Sequence, residues 1–336
     1  MIPSRVYDVP SGDRFLELPG FQDAFSTTVK LEGLNPAGSI KIKAAREMVL
    51  DAESRGVLTP GCEIIESTSG NLGVALASIC AAKGYRLTLV TDPNANARTV
   101  RFCRALGARV VTMRRHDAAG GYLGTRIEFI RRRVAAEPGL VWLNQYSNPQ
   151  NPRAHSRHTV TEILDAFGVP DWLFVGTGTS GTLMGCVRGL RERGLPTRVV
   201  AVDAVGSVTF GGPPARRCIP GIGASRRPEL LDDDGTFLKT LVAEPDSVRM
   251  CRRVARVYGL LLGGSSGSAL AAVAALRERI APGSRVLVLS PDMGDGYLDT
   301  VYDDDWVRER FGQEGLDAVA GPPVEDILRE LGREHV

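Results

Sequence analysis

The sequence predicts an α/β fold of two lobes, each a mainly parallel sheet flanked by helices. Strand-like and helix-like runs alternate in two series along the chain. An Asn-, Pro- and Gln-rich break separates the series, and 336 residues suit two fused lobes better than one ordinary domain.

In the first series, residues 63–66 end a strand, and 71–83 form an Ala- and Leu-rich helix that stops at Gly84. Strand 86–91, helix 96–106, strand 109–113 and helix 121–136 follow. The break falls at 144–152. The second series has strand 172–175, helix 182–193 and strand 198–203, then a Gly/Pro-rich loop over 206–227. Helices at 247–258 and 266–280 precede a strand at 285–290. From about Gly312 the patterning weakens into a tail. No repeat at a solenoid period occurs, and no low-complexity tract.

Composition narrows the function. The apolar share is 43%, the charged share 24% and the net charge +2, which gives no electrostatic case for nucleic acid or an anionic membrane. No run approaches the roughly 20 apolar residues that span a bilayer. The N-terminal segment lacks the apolar run of a signal peptide, so a cytoplasmic protein is expected. Six cysteines form no C-x-x-C pair and read as buried free thiols. His155 and His158 share a helix face without acidic or thiol companions, so they read as structural and no metal is predicted. Basic residues are mostly arginine. Condensation with an aldehyde needs an amine that can lose its proton, which lysine can do and arginine cannot. Two of the five lysines, Lys41 and Lys43, follow one Gly-Ser turn.

Four Gly/Ser/Thr turns could carry chemistry. NPAGSIK, residues 35–41, precedes an Ala-rich helical stretch, so Lys41 sits near a positive dipole end that favours its neutral amine. ESTSGNLG, residues 66–73, lies between strand and helix, where backbone N–H groups and hydroxyls can cradle a carboxylate and Asn71 can donate to an anionic oxygen. GTGTSGT, residues 176–182, suits a phosphate for the same reason. It also matches G-x-G-x-x-G, with Asp203 ending the next strand, so a dinucleotide (NAD) site is the alternative reading. GGSSGS, residues 263–268, opens a helix and offers a hydroxyl to a pyridine nitrogen.

These four turns, together with NQYSNPQNP (144–152), PGIGAS (220–225) and SPDMGDGYL (290–298), occur in the family order of fold-type II pyridoxal 5′-phosphate (PLP) enzymes. From about residue 8 to 307 the chain resembles the cysteine synthases and cystathionine β-synthases of that family. The resemblance implies a tryptophan synthase β-like fold, with a smaller mobile domain at 42–143, a larger phosphate-binding domain made of 1–41 and 144–311, and a tail at 312–336. It implies PLP as cofactor, carried by Lys41. Asn71 would face the cofactor's ring oxygen, Gly178, Thr179, Ser180, Gly181 and Thr182 its phosphate, and Ser265 its ring nitrogen. Thr68, Ser69, Gln145, Tyr146 and Gly221 would meet the substrate. A homodimer acting on amino acids is expected, without nucleic acid or membrane partners.

The chain departs from the pattern twice. Ile42-Lys43 follows the lysine where Asp-Arg is usual, and Leu72 follows the asparagine where Thr is usual; both changes are expected near the substrate. The stretches HDAAGGYLGTRI, VDAVGSVTFG, IPGIGASRRPEL and DMGDGYLDTVYDDDW resemble family members that join O-phospho-L-serine to the amine of L-glutamate. That chemistry supplies 2,3-diaminopropionate for siderophores or nonribosomal peptide antibiotics. It needs cations for a phosphate dianion and extra carboxylates, and Arg126 and Arg226 are the candidates. Sulfide as the nucleophile, with O-acetylserine or O-phosphoserine, is the alternative within the family.

Overall fold

A computed structural model describes residues 3, 5–9, 12, 14–117 and 121–320. Among them, ten strands form two sheets. In chain order they are β1 (Phe15–Glu17), β2 (Ser26–Leu31), β3 (Glu63–Ser67), β4 (Arg86–Thr91), β5 (Arg109–Thr112), β6 (Leu140–Trp142), β7 (Trp172–Gly176), β8 (Arg198–Ala204), β9 (Leu238–Val242) and β10 (Arg285–Ser290). The helices are α1 (Lys41–Ser54), α2 (Asn71–Lys83), α3 (Ala97–Ala105), α4 (Leu123–Ala136), α5 (Gln150–Ala154), α6 (Val160–Ala166), α7 (Gly181–Glu192), α8 (Glu244–Tyr258), α9 (Gly264–Ala275) and α10 (Asp304–Ala320). One π-helical turn, His155–Thr159, joins α5 to α6.

The larger sheet has the order β1-β2-β10-β7-β8-β9, parallel except for β1. Both faces are covered, so its strands read as continuous apolar runs rather than alternating ones. Trp172 and Phe174 face the side of α8 and α9, whereas Leu173 and Val175 face α6 and α7. The smaller sheet, β5-β4-β3-β6, is wholly parallel. Ile64 and Leu89 pack on its α2 side, in one cluster with Ala45, Met48 and Val49 of α1, and Ile65 and Val90 pack on α4.

Topology places the motifs. Strands β2, β10 and β7 are adjacent and parallel, so all three carboxyl ends point the same way. The turn before Lys41, the SPDMG turn and the GTGTSGT turn therefore emerge side by side, as ligand loops do at the carboxyl edge of open α/β sheets. The STSGN turn leaves β3 in the smaller sheet and reaches them across the gap.

Sequence reading missed β1, β2, β6 and β9, which are short or carry polar residues, and ran the helix at 266–280 too far: it ends at Ala275, followed by a 3-10 turn at Arg277–Arg279. The stretch from Gly312, expected as a tail, begins with a kink at that glycine (φ 75°) and is then helical to Ala320, with Val319 buried in the core; residues 321–336 of that tail lie outside the described residues, as do 118–120 of the HDAAGGYLGTRI stretch. None of the described helices is long and apolar enough to cross a membrane.

Candidate active site

Contacts among the singled-out turns close into a ring. Ile40 N–H donates to the Pro291 carbonyl (2.8 Å), and Ser39 bridges Asp292. The Asp292 carboxylate accepts from Asn71 Nδ2 (2.7 Å) and from the Tyr297 hydroxyl (2.6 Å). Asn71 opens α2 directly after STSGN, and Gln145 Nε2 donates to the Ser67 carbonyl (2.8 Å). Asn151 Nδ2 donates to the Gln145 carbonyl (2.9 Å) and lies 3.4 Å from Thr179 Oγ1. Gly223 N–H donates to the Thr177 carbonyl (2.7 Å), and Gly263 N–H donates to the Asp292 carbonyl (3.2 Å), back at the start. All seven turns thus surround one site.

Lys41 stands at the first position of α1. Burial lowers its pKa, and the nearby Asp292 carboxylate only partly opposes this. The neutral amine, the form that can attack an aldehyde, is therefore favoured. Lys43 is a different kind of lysine. Its Nζ donates to Glu32 (2.8 Å), Glu162 (2.6 Å) and Thr159 Oγ1 (3.3 Å), which occupies its three protons. Lys30 joins the same cluster through Glu32 (2.9 Å) and Glu162 (2.7 Å). Burial raises the Glu32 carboxyl, but Lys43 and Lys30 outweigh it and hold the group below its usual range.

The GTGTSGT turn has the features of an anion cradle. Ser180 adopts φ 66°, in the left-handed region, immediately before α7. Its Oγ and that of Thr177 are buried without a hydrogen-bond partner. Buried hydroxyls of this kind call for a ligand. A Cβ at Gly181 would overlap the Asn151 side chain, so the close approach requires glycine. A Cβ at Gly221 would lie 3.9 Å from Ser265 Oγ, and one at Gly176 the same distance from Ser265 Cβ, so Ser265 sits against the cradle and the PGIGAS turn. The donor set thus fits a phosphorylated pyridine aldehyde, with a nucleophilic amine, an anion cradle and a hydroxyl near the ring.

The dinucleotide alternative rested on Asp203 at the end of β8. That carboxylate is fully buried and its Oδ1 accepts from Ala204 N–H (2.8 Å).

On the smaller-lobe side, Thr68 Oγ1 accepts from Gly70 N–H (3.2 Å), Ser69 is exposed at the turn, and Tyr146 follows Gln145. Glu66 beneath them is fully buried, and desolvation pushes its pKa up to about 7 against bonds from Ser67 N–H, Trp142 Nε1 and Gln145 N–H. Arg126 belongs to this group. It is 7% exposed, lies 3.3 Å from Asp92 through Nη1, and is close enough to Tyr146 to oppose the burial-driven rise of that phenol. Its Nε and Nη1 have no hydrogen-bond acceptor. Arg226 stands apart: half exposed, it pairs with Glu229 on its own loop.

Both departures are engaged within the protein, with Ile42 packed in the smaller-lobe core. Leu72 is buried in the smaller-lobe core, and Lys43 is consumed by the Glu32 cluster. Asp292, Asn151 and His155 were missed as site residues. Asp292 lies in the SPDMGDGYL segment, but its partner Asn71 is more than 200 positions away and its contact with Tyr297 forms only in the folded turn.

The family model for pyridoxal-phosphate dependent enzymes matches residues 12–292. N-(2-amino-2-carboxyethyl)-L-glutamate synthase of Ralstonia nicotianae is 42% identical over 98% of this chain and 100% of its own. The protein of the same name from Cupriavidus metallidurans is 42% identical over 90% of each. Among solved structures, O-ureido-L-serine synthase superposes with a TM-score of 0.82 at 31% identity, covering 91% of this chain and 99% of its own. A hydrogen sulfide-producing enzyme from Fusobacterium nucleatum gives a TM-score of 0.81 at 30% identity, covering 88% and 100%.

Proposed function

Because this chain belongs to the family of pyridoxal-phosphate dependent enzymes, we propose that it joins O-phospho-L-serine to L-glutamate, giving N-(2-amino-2-carboxyethyl)-L-glutamate and inorganic phosphate. The Cβ–O bond of phosphoserine breaks and phosphate leaves; the glutamate amine forms the new N–Cβ bond and gives up a proton. The observation that carries the reading is the closed ring of turns around a desolvated Lys41, supported by the two synthases that match at 42% identity.

Lys41 would carry the cofactor, the 178–182 turn and Ser180 Oγ would hold its phosphate, Ser265 its ring nitrogen, and Asn71, steadied by Asp292, its ring oxygen. When bound, PLP supplies an electron sink for the charge left at the substrate's α-carbon. The chain's own residues do the rest. Lys41 Nζ would take the α-proton, and burial, which lowers its pKa, shifts it toward the neutral, basic form. The N-terminus of α2 and the Thr68–Ser69 hydroxyls bind the α-carboxylate. Gln145, bonded to the Ser67 carbonyl, fixes that turn. Arg126 supplies the cation for phosphate, while Gly221 and Tyr146 line the substrate side. The product tests the reading: phosphoserine and glutamate together should release one phosphate per glutamate consumed, and phosphate release indifferent to glutamate would count against it.

A homodimer and closure of residues 42–143 on the substrate belong to the same reading. The STSGN turn and the phosphate cradle lie on different sheets, so one substrate touching both would draw the lobes together and shut out water. X-ray scattering with and without phosphoserine should give a dimer mass and a smaller radius of gyration on binding. A monomer mass or an unchanged radius would contradict these two points.

A further inference from the structure

Beneath the phosphate cradle runs a line of hydrogen bonds that the chemistry above does not use. Lys43 Nζ lies 3.3 Å from Thr159 Oγ1, Thr159 Oγ1 lies 3.1 Å from His155 Nδ1, and His155 Nε2 lies 3.2 Å from Thr182 Oγ1. His155 and Thr159 are fully buried at the two ends of the π-helical turn, the one such turn among the described residues. Such turns are rare and recur at functional sites. This one is pressed against α7, the helix that carries Thr182: a Cβ on Gly185 would overlap Pro152 O and His155 Cβ, and one on Gly189 would meet Ser156 at 3.0 Å.

The direction of the line follows from donor inventory. An ammonium only donates, so Thr159 Oγ1 must accept from Lys43. The hydroxyl proton of Thr159 is then left for its other partner, His155 Nδ1. Nδ1 accepting means that Nε2 carries the ring proton and donates to Thr182 Oγ1. Thr182, accepting from His155, then keeps its own proton to donate to another acceptor, such as an anion in the cradle. The imidazole is neutral, since burial together with the charges of Lys41 and Lys43 disfavours its protonation.

We propose that Lys43, Thr159 and His155 form a one-way relay that fixes Thr182 as a hydrogen-bond donor to the anion bound in the GTGTSGT turn. The relay rests on the reading of that turn as a phosphate cradle and makes the three residues positioning residues, none of which touches the ligand. The opposite tautomer of His155 would turn a lone pair of Thr182 toward a dianion. The Lys30–Glu32–Lys43–Glu162 cluster then has a purpose beyond packing: it anchors the ammonium that sets the direction.

The test uses the full-length protein labelled with nitrogen-15 histidine. The chain has only four histidines, and His155→Asn assigns the relevant signal. The expected result is the Nε2–H tautomer, with and without bound PLP. Thr159→Val keeps shape but breaks the line. It should mix the tautomers, shift the phosphorus-31 signal of bound PLP and raise its dissociation constant about tenfold, the scale of one hydrogen bond to a charged group. Thr159→Ser should restore all three. An Nδ1–H tautomer in the unmodified protein would overturn the proposal, as would a Thr159→Val variant with unchanged tautomer and PLP affinity. If the unmodified protein bound no PLP, the functional reading would fail, while the tautomer of the ligand-free protein would still decide the relay.

Discussion

Lys41→Ala should abolish turnover and remove the visible absorbance of the covalently held cofactor, while leaving the protein folded. The loss of a positioned base alone is worth about 10²–10⁴-fold, and loss of covalent attachment adds to it. Folding should survive because burial already disfavours the Lys41 charge, so its removal takes away no favourable ion pair comparable to those of Lys43. Borohydride reduction followed by peptide mapping gives the complementary result. Label should fall on Lys41 and not on Lys43, whose three protons are taken by Glu32, Glu162 and Thr159. Label on Lys43, or a fully active Lys41→Ala variant, would refute the assignment.

Arg126→Ala should lower kcat/KM for O-phosphoserine by about tenfold to a hundredfold, the loss of one charge-assisted hydrogen bond of about 1.5–3 kcal/mol. Residual use of O-acetylserine should change far less, because an acetyl group offers no dianion to a guanidinium. The structure supports an incoming anion: Arg126 is nine-tenths buried, yet Nε and Nη1 lack acceptors, and Asp92 engages it only at 3.3 Å. Truncation also leaves Asp92 buried beside no cation, which costs stability. Arg126→Lys retains the charge without the planar fork and separates the two effects. Equal losses with both substrates, in a variant that melts like the parent, would remove Arg126 from the leaving-group site.

The residues proposed to hold the ligand were legible because each announces itself locally. Lys41, the STSGN turn, the GTGTSGT turn and Ser265 sit in Gly/Ser/Thr clusters at strand-to-helix junctions, and the alternation that marks those junctions is the same signal that gives the fold. The residues behind them were not. Asp292 holds Asn71 across 221 positions, and His155 meets Thr182 only because glycines at 185 and 189 let α7 settle on a π turn. No local pattern encodes either. Lys43 and Leu72 were drawn toward the substrate by their neighbours in sequence, but along α1 and α2 a step of one or two residues turns a side chain to another face. Arg226 followed the same logic and instead answers to Glu229, three residues on.

The choice of nucleophile decides the account. Phosphoserine, glutamate and sulfide offered together at equal concentration should yield N-(2-amino-2-carboxyethyl)-L-glutamate as the dominant product by mass, with inorganic phosphate released in step. Cysteine as the dominant product, with no glutamate adduct, would contradict it and leave a cysteine synthase in its place.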